Sequence, residues 1–327
     1  MADRNRRGGF QLNARDFGKI CAAIAALVLL VQGAAPAQTP ALTNVRVLAS
    51  PVDDVMPVLY AVRAGMFQKA GLNVTVDRAA SGAAASAAVI GGSVEIGKGN
   101  IMSVITAHAH NVPLLIVAPA AIYDPKTPDA ALVVAAGSPI RTAHDLVGKV
   151  IGVTALNDLS AVATETWLDA NGGDSKNTQF IEVPYQSLAP QLEAGRVQAV
   201  ILLKPFISDV VAARKAKVLG LVYTSIANRF LESVWYASAD YIAGHRDVIA
   251  RFQRVVADAS AYTNTHPADT LDLLVSFTGI EPTAANNMTR MVNGTTVRAQ
   301  EIQPVIDIAA KFKLIPQSFS AQEIIPH

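Results

Sequence analysis

Few residues in this chain have the types and spacings that chemistry requires. Gly97, Lys98 and Gly99 begin a glycine pattern suited to a dinucleotide phosphate, but the third glycine position holds Met102 and no acidic ribose partner follows at the usual distance. A tight turn that lets backbone approach a ligand or a neighbouring helix is the better reading. His108 and His110 are two apart, and on a helix that spacing turns them to different faces, so they share no metal and are expected to be solvated. Asp53 and Asp54 invite an amine or calcium, yet no loop of oxygen ligands follows them; acids at a helix start are the plainer account. Trp235 and Tyr236 suit a stacking platform and core packing equally. Nucleophile-elbow, zinc-protease and phosphate-loop patterns are absent from the sequence, and no cofactor is expected.

Alternating β and α segments must position whatever these residues do. Val45–Ala49, Val74–Val76, Val94–Ile96 and Leu114–Ala118 read as strands. Between them lie a helical stretch opened by Pro57, the small-residue helix Ala83–Ile90 behind the N-cap Ser81, and a helix over Asn100–His110. A polar turn at Asp124–Asp129 precedes strand Ala131–Ala135, the expected first crossing between lobes. Strand Val150–Val153, helix Ser160–Ala170, strand Phe180–Val183, helix Ser187–Ala194 and strand Ala199–Leu203 follow. Strand Ser233–Ala237 suggests the return crossing, and a mostly helical tail, Asp247–Tyr262 and on to Lys311, is expected to cover the first lobe. The reading divides the chain into residues 1–37 as a signal peptide, 38–129 with 236–327 as lobe 1, and 130–235 as lobe 2.

Arg4, Arg6, Arg7, Arg15 and Lys19 precede an apolar run from Ile20 to Val31, too short to span a bilayer comfortably, with Ala35 and Ala37 giving the small-x-small cleavage pattern. Export to the periplasm follows, with cleavage near Ala37; an uncleaved anchor is the alternative. Arg6 and Arg7 hint at twin-arginine export, but their spacing to the apolar run is poor. The lone Cys21 falls inside the run, so the mature chain of roughly 290 residues lacks cysteine and any disulfide or thiolate zinc site. A formal net charge of +1 gives no footprint for nucleic acid.

Three segments carry a family resemblance: Ala64–Phe67 with Gly71–Val74, Ile140–Lys149, and Leu192–Ala199. Over nearly the whole mature chain the sequence resembles the substrate-binding proteins of nitrate, sulfonate and taurine importers, together with the related binders of thiamine-pyrimidine precursors. Gln198, where the family usually has aspartate, and Lys204, where an acid is frequent, depart from it. The resemblance implies an α/β fold of the two-lobed type II periplasmic binding class with two crossovers, an ABC permease in the inner membrane as partner, and a monomer that binds without catalysis. A pyrimidine synthase of the same superfamily relies on a cysteine-rich motif that this chain lacks. A periplasmic sensor module is the alternative from another class.

Ligands of open α/β sheets sit beyond the carboxyl ends of strands, at helix N-termini. That rule nominates Val52, Asp53, Asp54 and Met56; Ser81, Gly82 and Ala83; Gly99, Asn100 and Ile101; Tyr123; Thr154, Asn157, Asp158 and Ser160; and Tyr185 and Lys204. Helix N-termini, hydroxyls and Lys204, with no arginine in these loops, favour a small organic anion such as a sulfonate or carboxylate. If Asp53, Asp54 and Asp158 point inward, an amine or an aminopyrimidine fits better.

Overall fold

Apolar residues at alternate positions build the strands of the computed structural model, which describes residues 41–326. The expected signal peptide and its cleavage site lie outside the described residues. In β1 (Thr43–Ala49), Val45, Val47 and Ala49 are buried on one face while Arg46 stays exposed on the other. The helix Met56–Arg63 and the short helix Met66–Lys69 lead to β2 (Leu72–Arg78), and the helix Gly82–Ile90 to β3 (Ile96–Asn100). Both strands lie parallel to β1. The helix Met102–Ala109 and β4 (Leu114–Pro119) follow, and then the short β5 (Ala121–Tyr123) leaves this sheet.

The second sheet is formed by β6 (Ala130–Ala135), β7 (Val150–Val153), β8 (Gln179–Glu182), β9 (Ala199–Leu203) and β10 (Ala216–Gly220), in the order β10-β6-β9-β7-β8. In β6, Leu132 and Val134 join one apolar cluster while Ala131 and Val133 join another; β9 divides Ile201 from Val200 and Leu202 in the same way. A strand so divided is covered on both faces, as its continuous apolar sequence requires. Each fully buried valine or leucine contributes about 1.5–3 kcal/mol, so a one-residue register slip gains nothing and disrupts both faces.

The chain returns through β11 (Phe230–Leu231) into β12 (Ser233–Ser238), which inserts antiparallel between β3 and β4 and completes the order β2-β1-β3-β12-β4. β11 and β13 (Val292–Asn293) flank β5 in a small third sheet that joins the two crossings. The tail then packs back. In the helix Arg246–Thr265, Val248, Phe252, Val255 and Ala259 are buried at helical spacing in the cluster that also holds Val45 and Val47. The helix Ala299–Lys311 buries Ile302, Val305 and Ile306 in the cluster that holds Val104 and Ile105.

Three elements near the nominated loops start or end elsewhere than expected. The strand expected at Val94–Ile96 instead runs from Ile96 to Asn100, which places Gly97, Lys98 and Gly99 inside β3, not in a turn, and moves the next helix start from Asn100 to Met102. Glycine is needed there for packing: a Cβ on Gly97 would lie 2.5 Å from the Tyr236 ring, and one on Gly99 3.3 Å from the Cα of Gly82. The helix expected from Ser187 begins two residues earlier, at Tyr185.

Candidate functional site

Both crossings between the sheets end on a buried acid. Phe230 of β11 pairs with Tyr123 of β5, and the rings of Tyr123, Tyr223 and Phe230 pack against one another with centroids 5.2–5.7 Å apart. Asp129 stands just past the first crossing and Glu232 just past the second, each 1 % exposed. Lys204 directly follows β9; its N–H donates to the carbonyl of Asp129 at 2.9 Å, and its own carbonyl accepts from Asp53 N at 3.2 Å. The loop after β1 is thereby tied to the second sheet.

Several polar atoms here are buried without a partner among the described residues: Lys204 Nζ, Tyr123 OH, Ser50 Oγ, Asp129 Oδ1 and Glu232 Oε2. Burial pushes the Asp129 carboxyl up to about 6, although its hydrogen bond with Glu232 and the nearby Lys204 pull it down. Burial and the neighbouring Asp129 hold Glu232 well above the carboxylate range. Burial lowers Lys204 against the opposing pull of Asp129 and Asp53, and raises Tyr123 to about 12.

Asp53 and Asp54 are neutralised by cations that sequence order conceals. Arg290 Nε donates to Asp53 Oδ1 at 2.7 Å, and the backbone N–H of Met291 to Oδ2 at 2.7 Å. Asp54 receives Lys98 Nζ on one oxygen and Ser233 Oγ on the other, and Ser233 Oγ in turn accepts from Ala121 N at 2.9 Å. Thus no arginine lies in the expected loops, yet one reaches them from the C-terminal region. Val52, Met56 and Ile101 turn into the apolar core.

Asp158 caps the helix Leu159–Ala170 and is fully engaged. Its Oδ1 accepts from Ser160 N at 2.9 Å, Ser160 Oγ at 2.6 Å and Ala161 N at 3.0 Å; its Oδ2 accepts from Thr154 Oγ1 at 2.8 Å and Asn100 Nδ2 at 3.2 Å. Burial raises its carboxyl above the usual range, against these hydrogen bonds. Tyr185 is buried close by, its phenol raised by burial and by Asp158. Ser81 accepts from Ala84 N at 3.3 Å. Of the four helix starts in the nominated loops, those behind Ser81 and Asp158 are capped, in part or in whole, by their own N-cap side chains, because Ser and Asp at that position outcompete a distant acceptor; those at Met56 and Met102 have no side-chain cap. Gly82 lies against β3, and Asn157, exposed at φ 61°, turns the loop before the cap.

A cavity of about 680 Å³ is lined by Asn100 and Asp158 together with Ala83, Ala87, Ser103, Leu156 and Leu314. The structure thus brings Ala83, Asn100, Asn157 and Asp158 to one cavity, and groups Lys204 and Tyr123 with Asp129 and Glu232 at the crossings. Sequence reasoning missed Ser50, Asp129, Glu232 and Arg290. Glu232 left a signal, a carboxylate inside the apolar run Phe230–Tyr236. Trp235 and Tyr236 are core residues, 1 and 0 % exposed. His108 is not simply solvated: its ring packs on Phe319 at 4.3 Å and its Nε2 lies 3.2 Å from Glu323. Among the described residues no cluster of side chains could hold a metal ion, and no helix is long and apolar enough to cross a membrane.

Residues 53–270, two thirds of the chain, match the family model described as NMT1/THI5 like. The chain belongs to that family. No curated protein matches it in sequence. Among solved structures, the alkanesulfonate-binding protein SsuA from Xanthomonas axonopodis pv. citri, bound to MOPS, is similar with a TM-score of 0.71 at 16 % identity, over 87 % of this chain and 98 % of that one. The periplasmic nitrate-binding protein NrtA from Synechocystis is similar at 0.69 and 14 %, over 87 % and 85 %. A Candida albicans gene product that exhibits the generic periplasmic binding protein fold is similar at 0.67 and 16 %, over 88 % and 92 %. The α/β periplasmic binding fold expected from sequence is the fold of this NMT1/THI5-like chain. Gln198, where the family resemblance weakens, is structural here: its Oε1 accepts from Val150 N at 3.1 Å.

Proposed function

We propose that this chain is the solute-capturing component of an ABC importer, which closes two lobes on a small organic anion and passes it unchanged to an inner-membrane permease. The lobes meet at the crossings β5 and β11, with the described residues up to 129 and the tail on one side and the segment from residue 130 to the return crossing on the other. The charged start, short apolar run and alanines at positions 35 and 37 support export to the periplasm with cleavage near Ala37. Intact-mass analysis of the exported protein should give a species starting near Gln38; retention of Ile20–Val31 would instead mean an anchored protein.

The observation that carries the reading is the group of unspent polar atoms at the crossings. Lys204 Nζ, Tyr123 OH and Ser50 Oγ are donors buried without partners among the described residues, and burial raises the Glu232 carboxyl well above its ordinary range. These three donors outnumber the two unpartnered acceptors beside them, Asp129 Oδ1 and Glu232 Oε2, and an excess of donors suits an anion. The carboxylates that argued for an amine are occupied: Asp53 by Arg290, Asp54 by Lys98, and Asp158 by five donors. An anion meets no free carboxylate from them.

A thermal-shift screen of anions, amines and pyrimidines at fixed salt tests the ligand class, since a ligand at a hundred times its Kd stabilises by about 2.7 kcal/mol. Anions should shift the melting temperature and Lys204→Ala should abolish the shift. If only amines or neutral heterocycles stabilise, and Lys204→Ala keeps that effect, the anion reading falls. Scattering tests capture itself: saturation should make the protein more compact, and unchanged dimensions, or product formed from the ligand, would refute it.

A further inference from the structure

We infer that Asp129 and Glu232 link capture to protons: each anion taken in beside Lys204 is matched by one proton taken up on this carboxyl pair, so that the protein holds its ligand less tightly as pH rises. This inference rests on the capture reading proposed above and concerns how that site balances charge. Four buried carboxyls meet three cations at the crossings, Asp53, Asp54, Asp129 and Glu232 against Lys98, Lys204 and Arg290. Arg290 closes Asp53 and Lys98 closes Asp54. The remaining Asp129 and Glu232 are in hydrogen-bond contact, and two carboxyls at that separation cannot both be ionised, so they share a proton. With Lys204 charged, these three groups sum to zero before a ligand enters. A single negative charge at Lys204 then leaves the buried group uncompensated, which is costly in the interior, and a second proton on the pair removes the excess.

The pair is the group fitted to take that proton. Burial holds Asp129 at about 6, against its hydrogen bond with Glu232 and the pull of Lys204, so above that pH the empty site mostly lacks the second proton, and a nearby anion raises the carboxyl further. Asp129 Oδ1 and Glu232 Oε2, acceptors without partners among the described residues, can carry it. Neither acid can turn out to water instead. The Asp129 carbonyl accepts from Lys204 N at 2.9 Å, while Glu232 donates its N–H to the Ala121 carbonyl at 2.9 Å and accepts at its own carbonyl from Ile101 N at 2.8 Å. The phenols in reach gain no proton, since burial first and then the neighbouring acids push Tyr123 up to about 12 and raise Tyr185 and Tyr223 as well. The other acids in reach are engaged elsewhere, Asp124 against Arg229 and Asp158 by the donors of its helix cap.

The test is calorimetric titration of the mature protein with methanesulfonate, which stays a monoanion throughout, in buffers of different ionisation heat, so that the protons taken up per anion are counted directly. Uptake should approach about one proton per anion near about pH 7.5 and become small near about pH 5, and the Kd should rise by up to about tenfold per pH unit above about 6. Asp129→Asn combined with Glu232→Gln keeps both shapes and leaves the charge of Lys204 to the anion alone. In that variant uptake should vanish and the Kd should become flat over the same range, with near-UV circular dichroism checking the fold; the proton count of the unaltered protein decides the matter even if the variant does not fold. Binding without proton uptake overturns the inference and leaves capture standing. Uptake that persists in the folded double variant places the proton on Lys204 and overturns it too. If methanesulfonate binds at no pH between about 5 and about 8, the capture reading falls for this anion and the inference falls with it.

Discussion

Asn100, the last residue of β3, donates its side-chain N–H to the Asp158 carboxylate at 3.2 Å, so the end of a strand in the first sheet holds the N-cap of a helix on the second. Because Asp158 also receives two backbone N–H groups of its own helix, one carboxylate serves both as helix cap and as a link to the end of β3. Asp158→Ala should cost about 0.5–2 kcal/mol through the cap alone. Asn100→Ala should cost about 0.5–1.5 kcal/mol. Urea denaturation of the single and double variants measures the link: the double should lose less than the sum of the two. Strict additivity would mean that the two side chains do not act on each other.

Asp129 sets a pH dependence of opposite sign to that of a salt-bridged carboxylate. Its carboxyl is raised from 3.8 unfolded to about 6 folded, so between these values the folded state binds the extra proton. Stability from this group is therefore fully present below about pH 4 and is lost as pH rises through about 6. Asp129→Asn, which keeps the shape and removes the titration, should flatten the fall in stability across that window in denaturant melts at several pH values. An unchanged slope would assign the loss to other groups.

Lys98 and Asp54 form an ion pair whose side chains are 3 and 1 % exposed. Lys98→Met leaves Asp54 buried with only Ser233 as partner, and should cost about 3–5 kcal/mol. Adding Asp54→Asn should restore part of that loss, because the uncompensated charge goes with it. If the double variant is no more stable than Lys98→Met, the penalty lies in packing and not in charge.

Gly97→Ala tests why glycine stands inside β3. The added methyl would lie 2.5 Å from Cε2 of Tyr236 and 2.9 Å from a methyl of Val89, both buried. Overpacking of this kind costs about 1–3 kcal/mol. Calorimetric melting should show the loss, together with a disturbed tyrosine signal in near-UV circular dichroism as Tyr236 is displaced from Ser86 Oγ, now 2.8 Å from its hydroxyl.

The sequence by itself determined the architecture, because the signals for it are local. The strands Val150–Val153 and Ala199–Leu203 have the bounds that their apolar runs indicate, and Ser81 caps its helix as its type and place demand. Where contacts at long sequence separation set the outcome, the sequence was silent or misleading. Gly97 and Gly99 carry the local signature of a turn, but they pair with Tyr236 and Val234 of β12, more than 130 positions further on, and so lie within a strand. The direction of Asp53 and Asp54 depended on Arg290 and Lys98, since a carboxylate turns toward the cation that relieves its burial, and only the folded chain brings those cations near. Glu232 and Asp129 meet because the two crossings run side by side, and that pairing, which no local spacing records, helps to raise the Glu232 carboxyl above its ordinary range.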